Sequence, residues 1–119
     1  MRGTVTDERV PIVELIVNGS AWRAVIDTGF NGYLELPESL RSAVKAEFIG
    51  YLESALAAGQ TIVEENYLVE FPFEGETLVV EATFGPADDI LVGTSLLGNH
   101  RLAIDFRERS VVIEKSVLK

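Results

Sequence analysis

Two β-rich runs, Pro11–Val17 and Ser20–Ile26, meet at Asn18-Gly19, and this junction constrains the chain more than any other stretch. Asn-Gly between apolar runs is the strongest short-range signal for a tight hairpin, because both turn residues must accept positive φ. The hairpin delivers Asp27 to the end of its second strand. That strand finishes with Ala24-Val25-Ile26, three apolar residues in succession, which predicts an end buried on both faces. Asp27-Thr28-Gly29 follows at once. A carboxylate in a Gly-punctuated turn at the tip of a buried strand occupies the kind of place where catalytic groups tend to sit. With this composition an ordered Asp-Thr-Gly arises by chance roughly 0.02 times, so the tripeptide is informative and still needs support from elsewhere in the chain.

Downstream, Tyr33-Leu34-Glu35-Leu36 reads as a short strand. Pro37 as a first helical residue, Glu38 in the first turn, and Leu40 with Val44 one turn apart predict a short helix over 37–45. Arg41 and Lys45 fall on its solvent side. Phe48–Leu56 and Thr61–Phe71 then form a long hairpin with Ala57-Ala58-Gly59-Gln60 at its tip, where small residues tolerate positive φ and close approach of another chain. An ordinary solvent-facing turn explains the same tip. Phe71-Pro72-Phe73 turns through Glu74-Gly75 into Thr77–Phe84, and Pro72 marks an edge or a strand end. Asp88 and Asp89 suit a turn, since no further ligand sits at metal-binding spacing. Ile90-Leu91-Val92-Gly93 repeats the pattern of the first apolar strand and Gly-containing turn, again followed by a helical turn at Thr94–Gly98, but it lacks a carboxylate. Leu102–Phe106 and Val111–Lys115 close the chain. Seven or more short strands with regular turn signals predict a mainly β fold, a small closed barrel with one or two short helices in a single domain spanning 1–119.

The bulk properties exclude several functions. Net charge is −9, which argues against a nucleic-acid partner because phosphate binding requires clustered Lys and Arg. No apolar stretch approaches the roughly 20 residues that span a bilayer, and the N-terminus has no apolar signal core, so the expectation is a cytoplasmic protein without a membrane role. The chain has no Cys and one His, His100, read as lying in a surface loop. Cysteine or Ser-His nucleophilic catalysis and a zinc site are therefore poorly supplied, and no cofactor or metal is expected.

Val25-Ile26-Asp27-Thr28-Gly29 followed by Leu34-Glu35-Leu36-Pro37 resembles the active-site segment of retropepsin-like aspartic proteases, and Leu91-Val92-Gly93 with Leu96-Leu97 resembles their second signature. The order, the spacing and the hairpin between them agree with the small stand-alone prokaryotic members over residues 11–115. The resemblance implies an aspartic endopeptidase active as a twofold homodimer, in which Asp27 of each subunit contributes one carboxylate. Two carboxylates about 3 Å apart share one proton, so one activates water while the other protonates the scissile carbonyl. Thr28 would hold the paired loops, and Gly29 would let the backbone approach and donate to the carboxylate. Phe30, Val92 and a flap tip of Ala57, Ala58 and Gly59 would bind an extended peptide or protein substrate. Two departures stand out: Phe30 replaces the family's usual small residue, and Thr94-Ser95 replaces the viral Arg followed by Asn or Asp. The terminal strand Val111–Ile113 pairs across the dimer or completes the chain's own sheet. Two other readings remain open, a catalytically silent dimer of this fold that binds extended peptides, and an unrelated β-barrel in which Asp27 merely turns the chain.

Overall fold

The computed structural model describes residues 1–117 and is built mainly from strands: β1 (Arg2–Val5), β2 (Pro11–Val17), β3 (Ser20–Ile26), β4 (Leu34–Pro37), β5 (Lys45–Ala55), β6 (Thr61–Phe73), β7 (Glu76–Gly85), β8 (Ile90–Val92), β9 (His100–Asp105) and β10 (Ser110–Lys115). Asn18 and Gly19 adopt φ of 49° and 81°, the double positive φ that the β2–β3 hairpin demands. Along β2 the residues Val13, Leu15 and Val17 are buried while Glu14 and Ile16 face out. The alternation places one face of the hairpin in the core. β3 ends as its composition implies, with Ala24 and Ile26 buried and Val25 half-buried between β2 and β8.

All ten strands belong to one sheet, in the order β5-β6-β7-β4-β8-β3-β2-β1-β10-β9. The sheet curls so that β2 packs across against β6. It does not close. β5 and β9 are its two ends, each with a neighbour on one side only, which corrects the expected closed barrel. A bulge between Phe48 and Gly50 shifts the register of β5 on β6, and such a bulge bends and twists a strand out of line. Most of β5, the edge strand, is exposed. The core lies under the rest of the sheet, around Phe71, Leu34, Leu36, Ile90, Val92 and Ile113.

The helical segment after β4 is a single 3₁₀ stretch, Glu38–Ala43, with Pro37 preceding it rather than opening it. Leu40 plugs the core from this turn. Arg41 pairs with Glu38 at 2.6 Å and lies over the rings of Tyr67 and Phe84, at 4.8 and 4.3 Å from their centroids, so it fastens the turn to β6 and β7 rather than merely facing solvent. A second 3₁₀ segment, Ala57–Gly59, forms the hairpin tip; Ala58 and Gly59 take φ of 62° and 75°, and for Ala57 only the backbone course is described. Thr94–Gly98 forms successive turns closed by i→i+3 bonds.

Pro72 sits in β6 beyond Glu70, the last residue there that pairs with β5, so the missing N–H falls on a locally free edge. β10 is flanked by β1 and β9 of the same chain, so the terminal strand completes the chain's own sheet. β1, for which the sequence offers no clear pattern, is held by β2 on one side and β10 on the other. His100 is not in a surface loop. It opens β9 with its side chain only 11% exposed, its Nε2 2.9 Å from Glu74 Oε1 and its ring edge-on to Phe73. The tight turn at Glu74-Gly75, with φ of 52° and 75°, aims Glu74 at it.

Candidate active site

The two signature segments are hydrogen-bonded neighbours. β3 and β8 run parallel, with Ala24 opposite Ile90, Val25 opposite Leu91 and Ile26 opposite Val92. The Asp27 N–H extends this ladder by donating to Val92 O at 3.0 Å. Beyond the strands the two turns interlock. Gly93 N donates to Tyr33 O at 3.0 Å, Thr94 N to Phe30 O at 2.8 Å, and Ser95 N to Gly32 O at 3.2 Å. The Thr94 and Ser95 hydroxyls add bonds to Phe30 O and Asn31 O. Positions that carry an Arg and an Asn or Asp in the viral pattern therefore hold two hydroxyl residues that tie the loops together within one chain.

Glycine at two positions follows from this closeness. A Cβ on Gly93 would stand 2.1 Å from Gly32 O, and one on Gly29 would stand 3.3 Å from Asp27 Oδ1. Gly29 N–H donates to that same oxygen at 2.9 Å. Asp27 is half-exposed, while Thr28 and Gly29 are exposed, so the carboxylate is held by its own loop and open to whatever approaches. The Phe30 ring folds onto Gly32 and Gly93, where their missing side chains leave room. A larger residue after Asp-Thr-Gly thus has its own seat in the loop.

Beside this loop runs a cleft of about 420 Å³ between the β5–β6 hairpin and the body of the sheet. Phe30 lines it, as do Leu52, Ser54, Leu56, Ile62, Glu64 and Asn66 of the hairpin. These hairpin residues form one face, because Leu52 pairs with Glu64 and Ser54 with Ile62 across the strands. The other expected binding residues lie elsewhere. Val92 is fully buried and serves through its carbonyl, and the tip residues Ala58 and Gly59 stand outside the cleft lining. Sequence reading missed the hairpin face, Glu35 and Thr83. Period-2 alternation along 52–56 and 62–66 was available as a signal, but the bulge at Gly50 and the unknown register hid which face turns inward.

Glu35, Glu64 and Glu81 bring three carboxylates to this cleft. Asn66 Nδ2 donates to Glu81 Oε1 at 2.7 Å, whereas Glu35 and Glu64 have no cationic partner among the described residues. Burial pushes the Glu35 carboxyl upward from its ordinary value, and the neighbouring Glu64 adds to the shift. A carboxyl that holds its proton more tightly when folded contributes its stability at low pH and loses it as pH rises through the folded value. Glu35→Gln should therefore raise the thermal midpoint at pH 7, on the order of a degree or two, and leave it unchanged near pH 3.5, as differential scanning calorimetry at the two pH values will read. No group of three or more His, Cys, Asp or Glu residues arranged to hold a metal occurs among the described residues. None of their helices is long and apolar enough to cross a membrane.

No protein-family model and no curated protein sequence matches the chain. Solved structures do. A retropepsin-like aspartic protease from Rickettsia conorii superposes with a TM-score of 0.68 over 97% of this chain and 89% of its own, at 15% identity. The EIAV protease complexed with the inhibitor HBY-793 gives 0.60 over 80% and 91%, at 13% identity. The Simian Foamy Virus (mac) protease gives 0.56 over 73% and 91%, at 22% identity. At these identities the likeness establishes the fold, which is retropepsin-like.

Proposed function

We propose, on the premise of this retropepsin-like fold, that the protein is an aspartic endopeptidase whose active site is completed by a second copy of itself. The observation that carries the reading is the interlocked pair of turns, with Asp27 donating its N–H to Val92 O at 3.0 Å and accepting from Gly29 N–H at 2.9 Å. It holds a single carboxylate beside the interlocked turns, half-exposed next to a cleft of about 420 Å³. One such carboxylate is half of what the chemistry needs. A twofold axis near Asp27 supplies the other from the partner's equivalent loop.

In the dimer the two carboxylates share a proton and titrate as one unit. The unprotonated member takes a proton from water as it attacks the scissile carbonyl carbon. The protonated member gives its proton to the carbonyl oxygen, and the resulting tetrahedral diol collapses as the amine nitrogen is protonated and leaves. Thr28 at the exposed end of the loop bonds across the axis. The β5–β6 hairpin acts as the flap, closing over an extended peptide with the face of Leu52, Ser54, Leu56 and Ile62 and excluding water. Phe30, seated on Gly32 and Gly93, leaves the Asp27 carboxylate open, so the silent peptide-binding module gains no support from it.

The test is cleavage of a peptide library and of an unfolded protein across pH 3–7, read together with mass by sedimentation equilibrium. Cleavage is expected, with specific activity that declines on dilution as the mass falls from dimer to monomer. A protein that stays monomeric at micromolar concentration while cleaving at full rate refutes the shared dyad. An intact dimer that cleaves nothing assigns the fold to binding alone.

A further inference from the structure

The cleft beside the Asp27 loop is chemically lopsided. Its walls are apolar where the hairpin contributes Leu52, Leu56 and Ile62, yet Glu35 and Glu64 face it without a cationic partner among the described residues. A third feature is independent of the acids. Thr83 lines the cleft, is 7% exposed, and its hydroxyl makes no hydrogen bond with any described residue. Among the described residues His100 Nδ1 alone is a fully buried polar atom without a partner, so the Thr83 hydroxyl is not sealed off from the cleft and can accept a hydrogen bond from a ligand there. The placement of these groups is built into the sheet. Glu35 of β4 pairs directly with Thr83 of β7, and Glu64 reaches across from the hairpin. Burial first, and the neighbouring Glu64 second, disfavour the charged form of Glu35, and a cation placed between the two carboxylates offsets both.

We propose that this cleft is a specificity subsite for a Lys or Arg side chain of the substrate, its aliphatic stem along Leu52 and Ile62 and its charged head held by Glu35, Glu64 and the Thr83 hydroxyl. The inference rests on the endopeptidase reading for its kinetic consequence but not for its binding consequence. Long cationic side chains bury their stems on apolar surface and keep the head on polar partners, which is the division this cleft offers. The volume of about 420 Å³ lies within the range of pockets that take a compact ligand group. An acidic partner is disfavoured twice, by the local carboxylates and by the net charge of −9. A neutral isostere such as norleucine fills the apolar walls but leaves the acids unpaired, so discrimination of about 10-fold to 100-fold is expected.

The experiment uses peptides in which norleucine, Lys, Arg or Glu occupies each position in turn. For the wild type, kcat/KM should be at least about 10-fold higher with Lys or Arg than with norleucine at one position. The ratio should fall toward unity in the Glu35→Gln/Glu64→Gln double variant and stay unchanged in Glu14→Gln, on the exposed face of β2. A second arm measures binding of the same labelled peptides to Asp27→Asn by fluorescence anisotropy, with and without the two Gln substitutions. Cleavage without cation preference, or preference that survives in the double variant, overturns the subsite and leaves the protease reading intact. Cation-selective binding that depends on Glu35 and Glu64, with no cleavage of any peptide, keeps the subsite and removes the protease. Absence of preference in both arms overturns the subsite.

Discussion

Asp27→Asn will lower kcat/KM for any cleaved peptide by about 10³-fold or more while leaving the folded protein intact. The catalytic loss follows from the proton inventory. An amide neither accepts a proton from water nor returns one to the carbonyl, and the reaction needs both transfers within one pair of groups. The structural silence follows from the site itself. Among the described residues the Asp27 side chain accepts one hydrogen bond, from Gly29 N–H, and an Asn Oδ1 accepts it equally well. The side chain is half-exposed, so the swap removes no packing, and stability should stay within about 0.5 kcal/mol in chemical denaturation. Mixing adds a readout that a single-subunit site cannot mimic. Titrating the variant into a fixed amount of wild type should depress the rate in proportion to the mixed dimers formed. A rate indifferent to added variant argues for a complete site within one chain, and cleavage undiminished by the substitution itself ends the mechanism.

Gly93→Ala is expected to have the largest effect on the fold, about 3 kcal/mol or more. The reason is contact rather than backbone conformation. The new methyl carbon would meet Gly32 O at 2.1 Å, Gly32 C at 2.8 Å and Phe30 Cδ2 at 2.8 Å. Two of these three atoms are backbone, and Gly32 O already accepts from Ser95 N, so neither loop can retreat without breaking the bonds that join them. Each bond so lost costs on the order of 1 kcal/mol in addition to the clash. For a domain whose total stability is about 5–15 kcal/mol, that is a large fraction. Urea denaturation should show the midpoint falling sharply, with activity falling in step because Asp27 hangs from Val92 O next door. Gly98→Ala is the matched control, since its Cβ would sit a milder 3.3 Å from Ser95 O. Equal stability of the two variants would show that the loops are looser than their hydrogen bonds indicate.

Much of the architecture was readable in advance, and the readable parts share a cause. Turns that require positive φ advertise themselves in residue type, and Asn18-Gly19, Glu74-Gly75 and Gly59 all take it. The alternation of Val13, Leu15 and Val17 with Glu14 and Ile16 along β2 is likewise a local property, because the side-chain period of a strand is two whatever it pairs with. Asp27-Thr28-Gly29 and Leu91-Val92-Gly93 were legible because each packs a strand end and a close-approach glycine into a few residues. Val92 was misplaced for the same local reason: membership of a signature does not say whether a side chain points to the cleft or to the core. His100 was misread because its partner, Glu74, lies 26 positions earlier and is delivered by a turn.

Local chemistry thus sufficed for most of the strands, the tight turns and the mainly β class. Pairing between distant segments settled the rest. Whether the sheet closes depends on the partners of β5 and β9, and each of these edge strands pairs on one side only. Glu35, Glu64 and Thr83 lie on three strands scattered over nearly fifty residues, and only the parallel pairing of β4 with β7 beneath the hairpin brings them into one cleft. A residue's own preferences act over a turn or two of chain. Which residues share a cleft is decided by hydrogen-bond register across the sheet, where a shift of one position turns a side chain from the cleft to the opposite face.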